Sequence, residues 1–155
     1  MKIFAPFILM ITLCLGACSP GHNDYSSYIT VAEDGWAYGD TIVFLPDSML
    51  NDSVMTAEIK IAVRHAGDYS YSNLWVEVSH YSPDGISSRD TVDIPLADVY
   101  GRWLGNGFGA EYQKEAVVVR QAAVDMRRPV TVRHVMRVDT LRGIEQVGVS
   151  VIPVK

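Results

Sequence analysis

Val54-Met55-Thr56-Ala57-Glu58-Ile59-Lys60-Ile61-Ala62-Val63-Arg64 is the stretch whose pattern decides the fold. Ile59, Ile61 and Val63 alternate with Glu58, Lys60, Ala62 and Arg64. A period of two residues sends one set toward a core and the other toward water, as in a half-buried strand. Asn73-Leu74-Trp75-Val76-Glu77-Val78-Ser79-His80-Tyr81 repeats the pattern, with Leu74, Val76 and Val78 on one face and Trp75, Glu77 and Ser79 on the other. Gly67-Asp68 lies between the two stretches and supplies turn chemistry, so they are expected to pair as a hairpin.

Working outward, further strands are expected at 29–33, 41–45, 90–96, 115–120, 130–137 and 146–152. Pro46-Asp47, Asn51-Asp52, Pro83-Asp84-Gly85, the 101–109 segment and Arg142-Gly143 act as separators. From Cys18 onward the chain has 20 Val and 8 Ile against 6 Leu, and β-branched residues suit a pleated surface better than a helix. Short, turn-separated strands point to an all-β domain, an antiparallel β-sandwich of jelly-roll-like type. Residues 96–100 are compatible with one short helix. No internal repeat is present.

The N-terminus reads differently. Lys2 precedes an apolar run over residues 3–15, and Leu15-Gly16-Ala17-Cys18 closes it with small residues before a cysteine. The run is too short for a membrane span, which takes about 20 residues. Residues 1–17 are therefore a signal peptide, and Leu15 to Cys18 fit a bacterial lipobox with Cys18 as the lipidated residue. Cys14 leaves with the signal peptide, so Cys18 has no partner for a disulfide within the chain. Acyl chains at about 0.8 kcal/mol per buried methylene give stable anchoring. Residues 18–27 form the lipidated Cys and a tether, and 28–155 the sandwich domain. Ser19, in place of an Asp, favours the outer membrane, and Ser19-Pro20-Gly21-His22-Asn23, free of acid, favours its periplasmic face.

Charge is unevenly placed. Residues 18–100 hold 13 acids and 3 bases, whereas 101–155 hold 5 acids and 9 bases, so −10 and +4 leave the processed chain at −6. That acidity speaks against nucleic-acid binding. Interleaved strands would let the opposite charges meet across neighbours. Arg127, Arg128, Arg133, Arg137 and Arg142 form a basic patch only if alternation allows it, and Arg127-Arg128 reads as a turn.

Chemistry-bearing patterns are scarce. His22, His65, His80 and His134 make no H-x-H or H-x-x-x-H pair and read as satisfied surface imidazoles, so no metal or other cofactor is expected. There is no G-x-S-x-G elbow, and the Asp residues sit mostly beside Gly, Pro, Ser or Thr as turn residues, so no enzyme is expected. Gly101-Arg102-Trp103-Leu104-Gly105-Asn106-Gly107-Phe108-Gly109 lacks the Gly-Lys-Ser/Thr of a phosphate loop. Its glycines free the backbone and its aromatics supply apolar area, either as a plug at the end of the sandwich or as a binding loop. Trp103, Phe108 and Trp75 are the candidate interaction residues. Tyr69, Tyr71 and Trp75 together suit an aromatic ligand surface or cross-strand packing.

Trp36 with Asp40-Thr41-Ile42-Val43-Phe44, Tyr69-Ser70-Tyr71-Ser72-Asn73-Leu74-Trp75, Gly101-Arg102-Trp103-Leu104-Gly105, Met136-Arg137, Leu141-Arg142-Gly143-Ile144 and Val147-Gly148-Val149 occur in an order and spacing that resembles the GldH gliding-motility lipoproteins of Bacteroidetes. The resemblance implies an envelope lipoprotein of the gliding machinery, working with other gliding lipoproteins by interaction and assembly. It brings no catalytic residues. A carbohydrate- or peptidoglycan-binding envelope module, using exposed aromatics such as Trp75 and Trp103, is the alternative.

Overall fold

The computed structural model describes residues 24–46 and 54–154. Its strands are β1 (Tyr25–Thr30), β2 (Trp36–Ala37), β3 (Ile42–Phe44), β4 (Val54–Ala66), β5 (Asn73–Tyr81), β6 (Ser87–Pro95), β7 (Asn106–Phe108), β8 (Glu111–Asp125), β9 (Val130–His134), β10 (Thr140–Leu141) and β11 (Ile144–Pro153). One antiparallel sheet has the order β1-β11-β4-β8-β7 and the other β3-β9-β5-β6, while β10 and β2 pair separately. The two sheets pack face to face as an all-β sandwich. Among the described residues there is no helix, and residues 96–100 form a turn instead.

The two deciding stretches are strands, but they are not a hairpin. β4 lies between β11 and β8, and β5 between β9 and β6, so each is central in a different sheet. The link from Ala66 to Asn73 crosses from one sheet to the other. Gly67 N–H donates to the Ala110 carbonyl at 2.8 Å, and Tyr69, buried at the crossing, donates its hydroxyl to the Asn73 carbonyl at 3.0 Å. The physical reason is the core. Ile59, Ile61 and Val63 of β4 and Leu74, Val76 and Val78 of β5 are fully buried in one cluster with Val147, Val149 and Val151 of β11. A two-stranded hairpin leaves such rows half covered, and facing sheets seal them, at about 1.5–3 kcal/mol for each side chain buried.

Other boundaries also move. The strand expected at 115–120 extends to β8, with irregular register against β4 near Ile59. The strand expected at 130–137 stops at His134, and β7 forms inside the glycine-rich segment. Tyr25, Ser26 and Ser27, read as tether, already pair with Val151, Ser150 and Val149. Charge pairing follows the interleaving in one instance: Arg133 of β9 sits opposite Glu77 of β5, with Nε to Oε1 at 2.9 Å and Nη2 to Oε2 at 3.2 Å. Arg127 instead closes a local pair with Asp125 in a turn, and Arg137 lies past the end of β9, so the arginines do not line one face.

Register fixes polarity along the sandwich. β1 and β4 run in the same direction, both antiparallel to β11. The chain thus enters at the end marked by Tyr25, Pro153 and Ala57. The 67–72 crossing, the 97–105 turn and Gly143 all lie at the opposite end.

Candidate interaction surface

Asp98 organises the turn between β6 and β7. Its Oδ1 accepts the N–H groups of Tyr100 and Arg102, both at 2.9 Å, and its Oδ2 accepts Arg102 Nε–H at 2.7 Å. Asp98 N–H donates to the Arg102 carbonyl at 2.9 Å and Gly101 N–H to the Asp98 carbonyl at 3.0 Å. These bonds, led by the Arg102 backbone N–H, hold the Asp98 carboxyl below the usual carboxylate range. Gly101 and Gly105 take φ of +78° and +92°, and a Cβ on Gly105 would collide with the Gln113 carbonyl oxygen, so glycine is required to lead into β7. The turn is thereby ordered, and its tip is apolar. Val99 is 93 % exposed and Tyr100 83 %, with the Arg102 guanidinium 5.5 Å from the Tyr100 ring.

Trp103 turns the other way. It bridges to Ala97 and packs half-buried against the core, its ring centroid 4.6 Å from His65, 6.0 Å from Tyr112 and 6.5 Å from Tyr69. It plugs the end of the sandwich. Phe108 pairs through its backbone with Glu111, and its side chain lies outside the described residues, as does Cys18. Trp75 stands on the outer face of β5, 41 % exposed and opposite Asp93, while its backbone N–H donates to Met136 Sδ at 3.3 Å. Tyr71 is partly exposed, whereas Tyr69 is core, and burial pushes its phenol up. The structure therefore does not join Tyr69, Tyr71 and Trp75 into one exposed surface. It adds Val99 and Tyr100, which a helical reading of 96–100 concealed. The signal for them was Asp98 followed by Gly101, a turn composition.

Three histidines correct the surface reading. His65 and His134 are fully buried and His80 nearly so. Each stands two residues after an inward valine, Val63, Val78 or Val132, and so shares its phase. His65 Nδ1 lies 2.9 Å from the Ala66 carbonyl and His134 Nε2 lies 3.0 Å from the Trp36 carbonyl, which assigns the proton to those nitrogens. Their other nitrogens, and His80 Nδ1, are buried without a hydrogen-bond partner in the protein. Desolvation lowers the His65 and His134 pKa, each opposed by its backbone hydrogen bond. His65 and His80 sit in opposite sheets. Among the described residues no group of three His, Cys, Asp or Glu is placed to hold a metal ion. No helix among them is long and apolar enough to cross a membrane.

The family model described as GldH lipoprotein matches residues 23–151. The chain belongs to the GldH lipoprotein family. Gliding motility lipoprotein GldH homolog of Christiangramia forsetii is 27% identical over 154 residues, spanning 94% of this chain and 93% of that one. Gliding motility lipoprotein GldH of Flavobacterium johnsoniae is 22% identical over 148 residues, spanning 91% of each. The match runs from just before β1 into β11, so in this GldH-family chain the Asp98 turn, Trp75 and the buried histidines all lie inside the family region.

Proposed function

We propose that this chain is an outer-membrane lipoprotein, anchored through Cys18 on the periplasmic face, that serves gliding motility as an interaction and assembly component and not as an enzyme. The observation that carries this reading is the ordered turn that holds Val99 and Tyr100 in solvent at the end of the sandwich opposite to where the chain enters. Six residues lie between Cys18 and Tyr25, so the two are seven steps apart along the chain, a reach of at most about 25 Å. The anchor therefore keeps the entry end near the bilayer and leaves the tip free to meet partners. A rigid apolar tip costs little entropy to bury, and tyrosine is enriched among residues that contribute 2 kcal/mol or more to interfaces. Trp75, exposed on the outer face of β5 near the same end, is a second candidate contact. The names of the two relatives support the gliding context.

Co-purification from chemically cross-linked envelope, using the intact lipoprotein, tests the reading. Tyr100→Ala and Val99→Ser together should leave the melting temperature near wild type, since exposed substitutions usually stay within about 0.5 kcal/mol. They should lower partner recovery roughly tenfold or more. Undiminished recovery from that variant and from Trp75→Ala would remove the surface. Cys18→Ser should move the chain from the detergent phase to the aqueous phase, and a mature wild-type chain without added acyl mass would remove the anchor.

A further inference from the structure

We propose that the outer face of the five-stranded sheet carries a binding site for a saccharide bearing a carboxylate, a uronic-acid residue of an acidic glycan, with Arg64 as its cation. The inference is independent of the Val99–Tyr100 tip, and it gives the carbohydrate-binding reading a residue set other than Trp75 and Trp103.

Arg64 is the outward residue of β4 at a level where five strands align. Gln146 of β11 and Gln113 of β8 flank it in register, Thr30 of β1 lies beyond Gln146, and Asn106 of β7 beyond Gln113. Its Nε donates to Gln113 Oε1 at 2.8 Å and its Nη1 to Gln146 Oε1 at 2.7 Å. The two amides are themselves placed. Gln146 Nε2 donates to Thr30 Oγ1 at 3.3 Å, and Gln113 Nε2 reaches the Tyr28 hydroxyl at 3.2 Å and Glu115 Oε1 at 3.5 Å. The guanidinium carbon lies 4.7 Å from the Tyr28 ring centroid. Tyr28 lies flat because its cross-strand partner is Gly148, where a Cβ would come within 2.6 Å of the ring. Glycine at 148 thus makes room for the ring that supports the cation.

What sets Arg64 apart is its clasp by two amide oxygens, whereas the ion-paired arginines are held by carboxylates. Arg102, Arg127 and Arg133 each meet a carboxylate at 2.7–2.9 Å. Among the described residues no carboxylate oxygen lies within 4.0 Å of the Arg64 guanidinium. It is oriented by neutral acceptors alone, so it is held in place without a direct ion pair. A guanidinium carries five N–H donors in a planar fork that matches a carboxylate, and two are used. An open concavity of about 400 Å³ adjoins it, lined by Arg64, Asn106, Gly107, Glu111, Tyr112 and Gln113.

The surroundings select the anion. Glu111 on the rim and Glu115 beside Gln113 oppose a doubly charged phosphate, which one guanidinium does not balance. The same carboxylates, with the Asn106 amide, suit hydroxyl groups as partners. One negative charge surrounded by hydroxyls describes a uronate.

Calorimetric titration of the full-length lipoprotein in detergent tests the site, with tri-galacturonate and tri-mannuronate as probes. Their methyl esters remove the charge, and inorganic phosphate and a tri-glutamate peptide are the competing anions. At least one uronate trimer should bind, its ester about tenfold or more weaker, and Arg64→Gln should lose about tenfold or more of the uronate affinity. Asn106→Ala, outside the Arg64 clasp, should weaken binding severalfold, and it decides the matter if Arg64→Gln fails to fold. Absence of binding by both trimers, equal binding of the esters, or tighter binding of phosphate or the peptide would overturn the proposal. So would full uronate affinity in folded Arg64→Gln or in Asn106→Ala.

Discussion

Trp103→Ala is expected to lower the unfolding free energy by about 3 kcal/mol, the low end for a large aromatic cut back in a core. In a domain of this length that is a fall of roughly 10 °C in melting temperature. Trp103 is half-buried, and its ring is the neighbour of His65, Tyr69 and Tyr112 at the end of the sandwich. Truncation leaves a cavity beside His65, whose Nε2 has no hydrogen-bond partner in the protein, so water entering the cavity recovers part of the loss. Trp103→Phe should retain most of the stability. Thermal unfolding followed by circular dichroism separates the outcomes. A Trp103→Ala chain that melts within about 2 °C of wild type while losing envelope partners would reassign Trp103 from plug to contact.

Acidification below about pH 6.5 should destabilise the domain before its carboxylates titrate. His65 and His134 have pKa values lowered in the folded state, chiefly by desolvation. In the unfolded chain they protonate near pH 6.5. Between that value and the lowered folded values, the unfolded state binds a proton that the folded state does not. Stability is therefore complete above the unfolded pKa and falls as pH drops, by up to about 1.4 kcal/mol per pH unit for each histidine, levelling off once the folded groups also protonate. Glu145 acts in the opposite sense, because burial, Glu111 and Asp68 raise its pKa. Glu77, Asp98 and Asp125 are held below the usual carboxylate range by hydrogen bonds from Arg133, Arg102 and Arg127, so their contributions disappear only at lower pH. Urea titrations at pH 7.5, 6.5 and 5.5 should show the midpoint falling over this interval. His65→Phe with His134→Phe should flatten the fall even if the double variant is less stable overall. A wild-type midpoint independent of pH across it would contradict neutral, buried imidazoles.

The legible part of the fold is the inward phase of the apolar rows of β4 and β5. Ile59, Ile61 and Val63, and Leu74, Val76 and Val78, are buried as their alternation requires. The same phase, carried two residues further, would have placed His65, His80 and His134 inside. A surface reading fails for them because a ring that donates one N–H to a backbone carbonyl tolerates burial, although imidazole is polar. The exposed tip at Val99 and Tyr100 was hidden for a different reason. Asp98 and Gly101 create a turn through hydrogen bonds that leave no periodic signature.

By itself the sequence determined the secondary-structure class, the inward phase of the apolar rows of β4 and β5 and the resemblance to GldH lipoproteins, because each rests on local patterns of residues. Only the tertiary structure decided that β4 and β5 belong to opposite sheets, that Arg64 stands between two glutamines 49 and 82 residues away, and that Trp103 closes the core while Tyr100 faces solvent. Strand alternation states which side of a strand is apolar and is silent on which strand lies beside it. That choice follows from burying every apolar row at once, a condition on the whole chain.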